Sequence, residues 1–216
     1  MTITPTEPSK LPQWKGRPVP WVTRWSNEVI REPYTLEMTR EAALSLIYKD
    51  GKSEDRAYGA LWQREGLMRG GDPLWKSVST YRQRRAMTRC LCQVCGEKID
   101  ERPIRFLMPM DGIEMLDENT ALTIQAPTCE SCIPLALSVC PHLKKFGYQI
   151  LKVIDYEPWG VYGEVVWLGN DMKPQRMQTY VGFDMHNPPK FSLSQVLAKQ
   201  LVIKLGKYVA EVHAPE

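Results

Sequence analysis

The sequence predicts an α+β fold: a helical N-terminal part, a small cysteine-bearing module, and C-terminal antiparallel strands closed by a helix. Three observations carry this. Apolar residues between positions 39 and 89 recur at helical spacing behind capping residues. Two Cys-x-x-Cys pairs, Cys92/Cys95 and Cys129/Cys132, are separated by 33 residues. From Phe146 onward the chain turns to β-branched and aromatic runs divided by Gly, Pro and Asn. Four segments follow: residues 1–35, a Pro/Trp-rich extended arm; 36–89, the helical region; 90–142, the cysteine module; and 143–216, the strands with their C-terminal helix.

In the arm, Pro5, Pro8, Pro12, Pro18, Pro20 and Pro33 exclude helix. The first ten residues are expected to be disordered. Trp14, Trp21 and Trp25 are expected to lie across the folded body; the alternative is a stacking platform, with Arg17 and Arg24, for single-stranded nucleic acid.

In the helical region, Thr39 is placed to cap a helix running to Tyr48, with Ala42, Leu44, Leu46 and Ile47 on its apolar face. Ser53 caps a second helix that carries Ala57, Leu61 and Trp62 and breaks at Gly70-Gly71. Asp72-Pro73 opens a third, with Leu74, Trp75, Val78 and Tyr81 on one face. Its last turns hold Arg82, Arg84, Arg85 and Arg89. These arginines either complement the negative end of the helix or form a phosphate-contacting stripe.

The two Cys-x-x-Cys pairs supply four thiolates from two tight turns, the donor set of a tetrahedral zinc ion. Gly96 stands where such a knuckle turns through positive φ. Residues 104–108 and 121–126 read as strands, with a turn at Asp111-Gly112, and residues 134–140 as a short helix. Knuckle, hairpin, and a helix carrying the second pair make a treble-clef-like module. Beyond it, residues 148–154, 161–168 and 177–183 read as three antiparallel strands. Asn187-Pro-Pro189 breaks the pattern. Ser192 or Ser194 then starts a last helix through Val196, Leu197, Leu201, Ile203 and Leu205.

Arg85-x4-Cys90, Cys92-Gln-Val-Cys95-Gly96, Leu116-Asp-Glu-Asn119-Thr-Ala-Leu122 and Cys129-Glu-Ser-Cys132 together resemble the zinc-containing HNH endonucleases, over about residues 82–142. The resemblance implies a treble-clef zinc site and a ββα-metal unit that cuts nucleic acid. The catalytic part departs from that pattern. No histidine lies between Cys95 and Cys129, Ile133-Pro134 follows the second pair, and Asn119 stands ten residues before Cys129. Metal-assisted hydrolysis needs an open metal position and a base for water. The zinc scaffold is therefore expected and the nuclease chemistry is not.

Cys90, Cys140 and His142 are additional ligand candidates for a second zinc, with His186 or Asp184 as a fourth donor. The alternatives are a buried Cys140 with His142 at a helix end, or a nucleophilic Cys140–His142 pair.

The chain carries a net charge of +3 with 43% hydrophobic residues, the balance of a globular protein. The charge is uneven. Residues 1–89 hold 16 Lys/Arg against 10 Asp/Glu, net +6, whereas residues 90–142 hold 3 against 8, net −5. No run approaches the roughly 18 apolar residues of a membrane span. The N-terminal residues show no basic start or apolar run, so a cytoplasmic protein without a membrane partner is expected. The leading functional expectation is a non-catalytic, zinc-stabilised protein that binds nucleic acid through Arg82, Arg84, Arg85 and Arg89, or regulates something that does. A zinc-stabilised protein-interaction scaffold is the first alternative. An enzyme, either a divergent HNH-like nuclease or a Cys–His catalyst, is the second.

Overall fold

The computed structural model describes residues 11–31, 33–39, 43–117, 120–183 and 191–214. Among them lie sixteen strands and three short helices, α1 (Thr80–Arg89), α2 (Ile133–Val139) and α3 (Pro141–Phe146). The fold is mostly β, which overturns the α+β expectation of a helical N-terminal part and a closing helix.

The central strand of the larger sheet, Val196–Leu205, is the segment expected to be that closing helix. It pairs antiparallel with Tyr156–Leu168, which in turn pairs with Pro174–Gly182. Along its other edge it pairs antiparallel with Thr120–Thr123 near one end and parallel with Ala60–Trp62 near the other. Glu114–Asp117 and Arg56–Ala57 complete the seven strands.

A bulge explains the misreading. Gly163 faces Ala198 while Tyr162 faces Gln200, so Lys199 is an extra residue that inverts the side-chain alternation. Val196 and Ala198 enter the main core before the bulge, and Leu201, Ile203 and Leu205 enter it afterwards. Leu197 packs on a second cluster with Leu46, Tyr48, Leu61 and Val166. A strand buried on both faces with a parity change imitates helical periodicity.

The same second cluster accounts for the N-terminal region. Tyr34–Met38 and Leu44–Tyr48 form a hairpin instead of a helix, because Leu46 and Tyr48 are needed as apolar cover over Leu61 and Leu197. Residues 40–42 lie outside the described residues. Ser53–Asp55 is a single 3-10 turn. Arg56–Ala57 and Ala60–Trp62 then pair across Tyr58-Gly59, both at positive φ, as a two-residue hairpin requires. Pro73–Val78 is a strand against Thr23–Trp25, and the helix starts only at Ser79. The Ser79 Oγ accepts the Arg82 N–H at 3.2 Å, and the Glu65 carboxylate accepts from the Ser79 hydroxyl and the Tyr81 N–H.

Helix α1 is docked by a side chain that acts as a piece of strand. The central strand has backbone partners at Leu197–Ala198 and Ile203–Lys204 on this edge. In the gap, the Leu201 N–H donates to Gln83 Oε1, and Gln83 Nε2 donates to the Leu201 carbonyl, both at 2.9 Å. The same Nε2 donates to the Ile124 carbonyl at 2.9 Å. Ala86 and Met87 of α1 fill the core beside it.

A second sheet orders Tyr208–His213, Tyr148–Val153 and Ile104–Pro109. The two strands expected between the cysteine pairs, at 104–108 and 121–126, therefore belong to different sheets, and Thr120–Thr123 instead pairs with Glu114–Asp117.

Candidate metal centre

Cys92, Cys95, Cys129 and Cys132 converge. Their sulfur atoms all lie within 4.8 Å of one another, and the Cys95 and Cys129 sulfurs are 3.9 Å apart. A tetrahedron with zinc–sulfur bonds of about 2.3 Å has sulfur–sulfur edges of about 3.8 Å. The four thiols therefore fit zinc, by geometry and by donor chemistry.

Local structure sets each ligand. The first pair sits in a tight knuckle: the Gly96 N–H donates to the Cys92 carbonyl, and the Cys92 N–H to the Glu97 carbonyl, both at 2.8 Å. Gly96 turns through φ +81°. A Cβ there would also meet the Trp21 ring at 2.8 Å, so the glycine serves both the turn and the packing. The second pair stands immediately before α2, with the Cys132 N–H donating to the Cys129 carbonyl at 3.0 Å. Backbone N–H groups of Val94 and Cys129 point at the Cys92 sulfur, at 3.4 and 3.3 Å, donors that would support a thiolate once a cation is bound.

The site is closed. Cys92 and Cys132 are buried, and Leu11, Val94, Ile99 and Leu135 pack around them. The N-terminal arm forms part of this cover: the Trp21 and Val22 N–H groups donate to the Val94 and Gln93 carbonyls. Hydrogen bonding to Cys129, Cys132 and Cys95, with burial, pushes the Cys92 thiol above the ordinary range. Donation from Cys132, Cys92 and Cys95 pulls Cys129 below it. Sulfurs this close share protons until a cation replaces them. Beside them the Arg105 guanidinium pairs with Glu130 at 2.7 Å.

The other ligand candidates stand apart. Cys90 caps α1 in the left-handed conformation, and burial pushes its thiol up despite a hydrogen bond with Tyr156. Cys140 joins α2 to α3 and packs beside the cluster of Leu107, Ile133, Leu143 and Ile150. The exposed His142 ring lies against Phe146, 4.7 Å between centroids. Among the described residues these three do not join a metal-ligand group. Asn119, Asp184 and His186 lie outside the described residues.

The four arginines of α1 have separate environments. Arg82 is buried and forked onto Glu28, at 2.5 and 2.7 Å, with a further bond to the Thr23 carbonyl at 2.8 Å. Arg84 is half-buried with its guanidinium 4.3 Å from the Trp62 ring centroid. Arg85 and Arg89 are exposed. Sequence reasoning missed Glu28, which lies 54 positions before Arg82 with no local spacing to mark the pair.

No helix among the described residues is long and apolar enough to cross a membrane. Comparison with protein-family models, curated proteins and solved structures gives no match. The likeness to HNH endonucleases thus rests on cysteine spacing and short motifs alone.

Proposed function

We propose that the protein is a non-catalytic binding protein whose fold is stabilised by one zinc ion. The closed set of four converging cysteine sulfurs carries this reading. Cys92, Cys95, Cys129 and Cys132 would hold the ion and fill all four tetrahedral positions, leaving none for water or substrate, which is the arrangement of a structural site. Zinc there contributes cross-linking free energy, because the ligands gather only in the folded chain. The test is elemental analysis of reduced, purified protein, with thermal melting before and after chelation. One zinc per chain, lost together with stability in Cys92→Ser, is expected. No zinc, or full stability after its removal, refutes the reading.

A second observation favours nucleic acid as the ligand class. Arg85 and Arg89 are exposed one helical turn apart on α1, in the part of the chain that is net +6. With Arg82 occupied by Glu28, two phosphate contacts remain on this face, for a log–log salt slope near −1.8 on duplex DNA, at about −0.9 per contact. Changing both Arg85 and Arg89 to Gln should remove that slope and leave zinc content intact. No binding at low salt would direct the search to a protein partner instead.

A further inference from the structure

A cleft of about 910 Å³ opens beside the start of α1, within the size range of small-ligand sites. Its lining includes Trp62, Tyr81, Arg84 and Glu65, with the cations Arg31 and Lys52 and the carboxylates Asp50, Glu54 and Asp55, of which Asp50 and Asp55 are paired to Arg64.

Arg84 differs from the embedded arginines around this cleft; Arg24, whose Nε is also buried without a partner, does not line it. Arg82 is neutralised by Glu28, and Arg64 by Asp50 and Asp55 at 2.7 and 2.5 Å. The Arg56 guanidinium donates to Ser45 and to the Leu46 and Gly59 carbonyls. Arg84 makes no ion pair among the described residues, and its Nη1 is closed off from solvent without a hydrogen-bond partner. Burial pulls its guanidinium below the ordinary arginine range, with no carboxylate opposing the shift. It is nevertheless held in place, stacked on a Trp62 ring whose own N–H is anchored to the Ala57 carbonyl at 3.0 Å.

A second unpartnered group lines the same cleft. Glu65 uses Oε1 to cap α1, while Oε2 is buried without a donor. Buried donors and acceptors in a folded protein are almost always paired, by protein, water or ligand. Arg84 and Glu65 thus bring a cation without a carboxylate partner and a half-used carboxylate to the walls of one cleft.

We infer that this cleft binds a small organic oxyanion, with Arg84 as the seat of the anionic group and Glu65 accepting a hydrogen bond from a hydroxyl or ammonium of the same ligand. Phosphate and carboxylate share the required chemistry, since either meets a guanidinium with two oxygens. The site is independent of the metal centre and of the exposed Arg85 and Arg89.

The test uses the 216-residue zinc-loaded chain at low ionic strength, with two probes that both carry hydroxyls: ribose 5-phosphate for the phosphate arm and malate for the carboxylate arm. Calorimetry reads affinity, and two-dimensional NMR reads the Trp62 indole and Tyr81 amide signals. Saturable one-to-one binding of at least one probe is expected, with shifts concentrated at those signals, and the tighter probe identifies the anion class. Arg84→Gln should weaken binding about tenfold or more, the size of a lost charge-assisted hydrogen bond, and Glu65→Gln should weaken it as well. If Arg84→Gln fails to fold, judged by zinc content and circular dichroism, the wild-type shift map decides. Neither probe saturating, shifts mapping elsewhere, or unchanged affinity in folded Arg84→Gln overturns the inference.

Discussion

Replacing Arg82 by Met tests how the arm is fastened to the body. Arg82 is 5% exposed and Glu28 2%. The substitution removes two hydrogen bonds to the carboxylate and one to the Thr23 carbonyl, and leaves the Trp25 N–H, at 2.7 Å, donating to the Glu28 carboxylate. Removing one partner of a buried ion pair costs about 3–5 kcal/mol, because the other charge is left uncompensated. For a chain of this size that lowers Tm by on the order of 10 °C. Arg85→Met and Arg89→Met, both on the exposed face, should stay within about 0.5 kcal/mol of the parent. The double change Arg82→Met with Glu28→Leu should recover most of the loss, since no charge is then buried. Chemical denaturation of the four variants measures all of this. A loss under about 1 kcal/mol for Arg82→Met, or no recovery in the double variant, would refute the buried-clamp reading.

Other perturbations follow from the same contacts. Burial raises the Glu28 carboxyl, but bonds from Arg82 and the Trp25 N–H outweigh it and hold the folded-state pKa below 4.5. The associated stability is therefore full above the unfolded pKa and lost as pH falls through the folded one, so an acid titration should show a loss below about pH 4.5 that the double variant lacks. Gly96→Ala should destabilise the protein by more than 1 kcal/mol, as it combines φ +81° with a 2.8 Å collision against Trp21; an unchanged denaturation midpoint would contradict that. Gln83→Leu should cost about 3 kcal/mol or more, from two orphaned carbonyls and one orphaned N–H, and the Leu201 amide should exchange faster. Undiminished protection of that amide would show that the side chain is not its partner.

What the sequence disclosed was set by how local the determinant is. The four cysteines were legible because two short repeats with a chemical requirement declare a joint role at any separation. The strands expected at 148–154 and 161–168 were legible from their β-rich runs, but the second begins at Tyr156, because Glu157-Pro-Trp-Gly160, expected as a separator, pairs with the central strand. The central strand was not, because its bulge at Lys199 appears only when Tyr162 and Gly163 are seen across from it. The 44–48 strand was misread because Thr39 and Glu41 suit a helix start, whereas Leu44, Leu46 and Tyr48 alternate as in a strand and are covered by Leu61 and Leu197. The start of α1 was present in the sequence at Ser79-Thr80, but Asp72-Pro73 offered an equally good helix start. The pairing of the Pro73–Val78 strand with Thr23–Trp25 chose Ser79. The arginines of α1 share a segment and little else, since their roles depend on Glu28, Trp62 and solvent.

The four-cysteine site matters to this β-rich fold because of where its residues enter. Helix α1, keyed into the larger sheet by Gln83, ends at Cys90, two residues before the first ligand. The Ile104–Pro109 strand of the second sheet leaves the knuckle, and the chain returns through Thr120–Thr123 of the larger sheet to reach Cys129. Gln93 joins these routes: its N–H donates to the Pro127 carbonyl at 2.8 Å, and its side-chain amide to Thr128 Oγ1 at 2.9 Å and the Leu107 carbonyl at 3.3 Å. The arm then lies over the knuckle at Trp21 and Val22 and over α1 at Thr23 and Glu28. One ion at the four sulfurs would thus tie together α1, both sheets and the arm. Its loss should loosen the arm first, because the Val94 and Gln93 carbonyls that receive the Trp21 and Val22 N–H groups belong to the knuckle itself. The Arg82–Glu28 clamp, anchored on a helix held by Gln83, should outlast it.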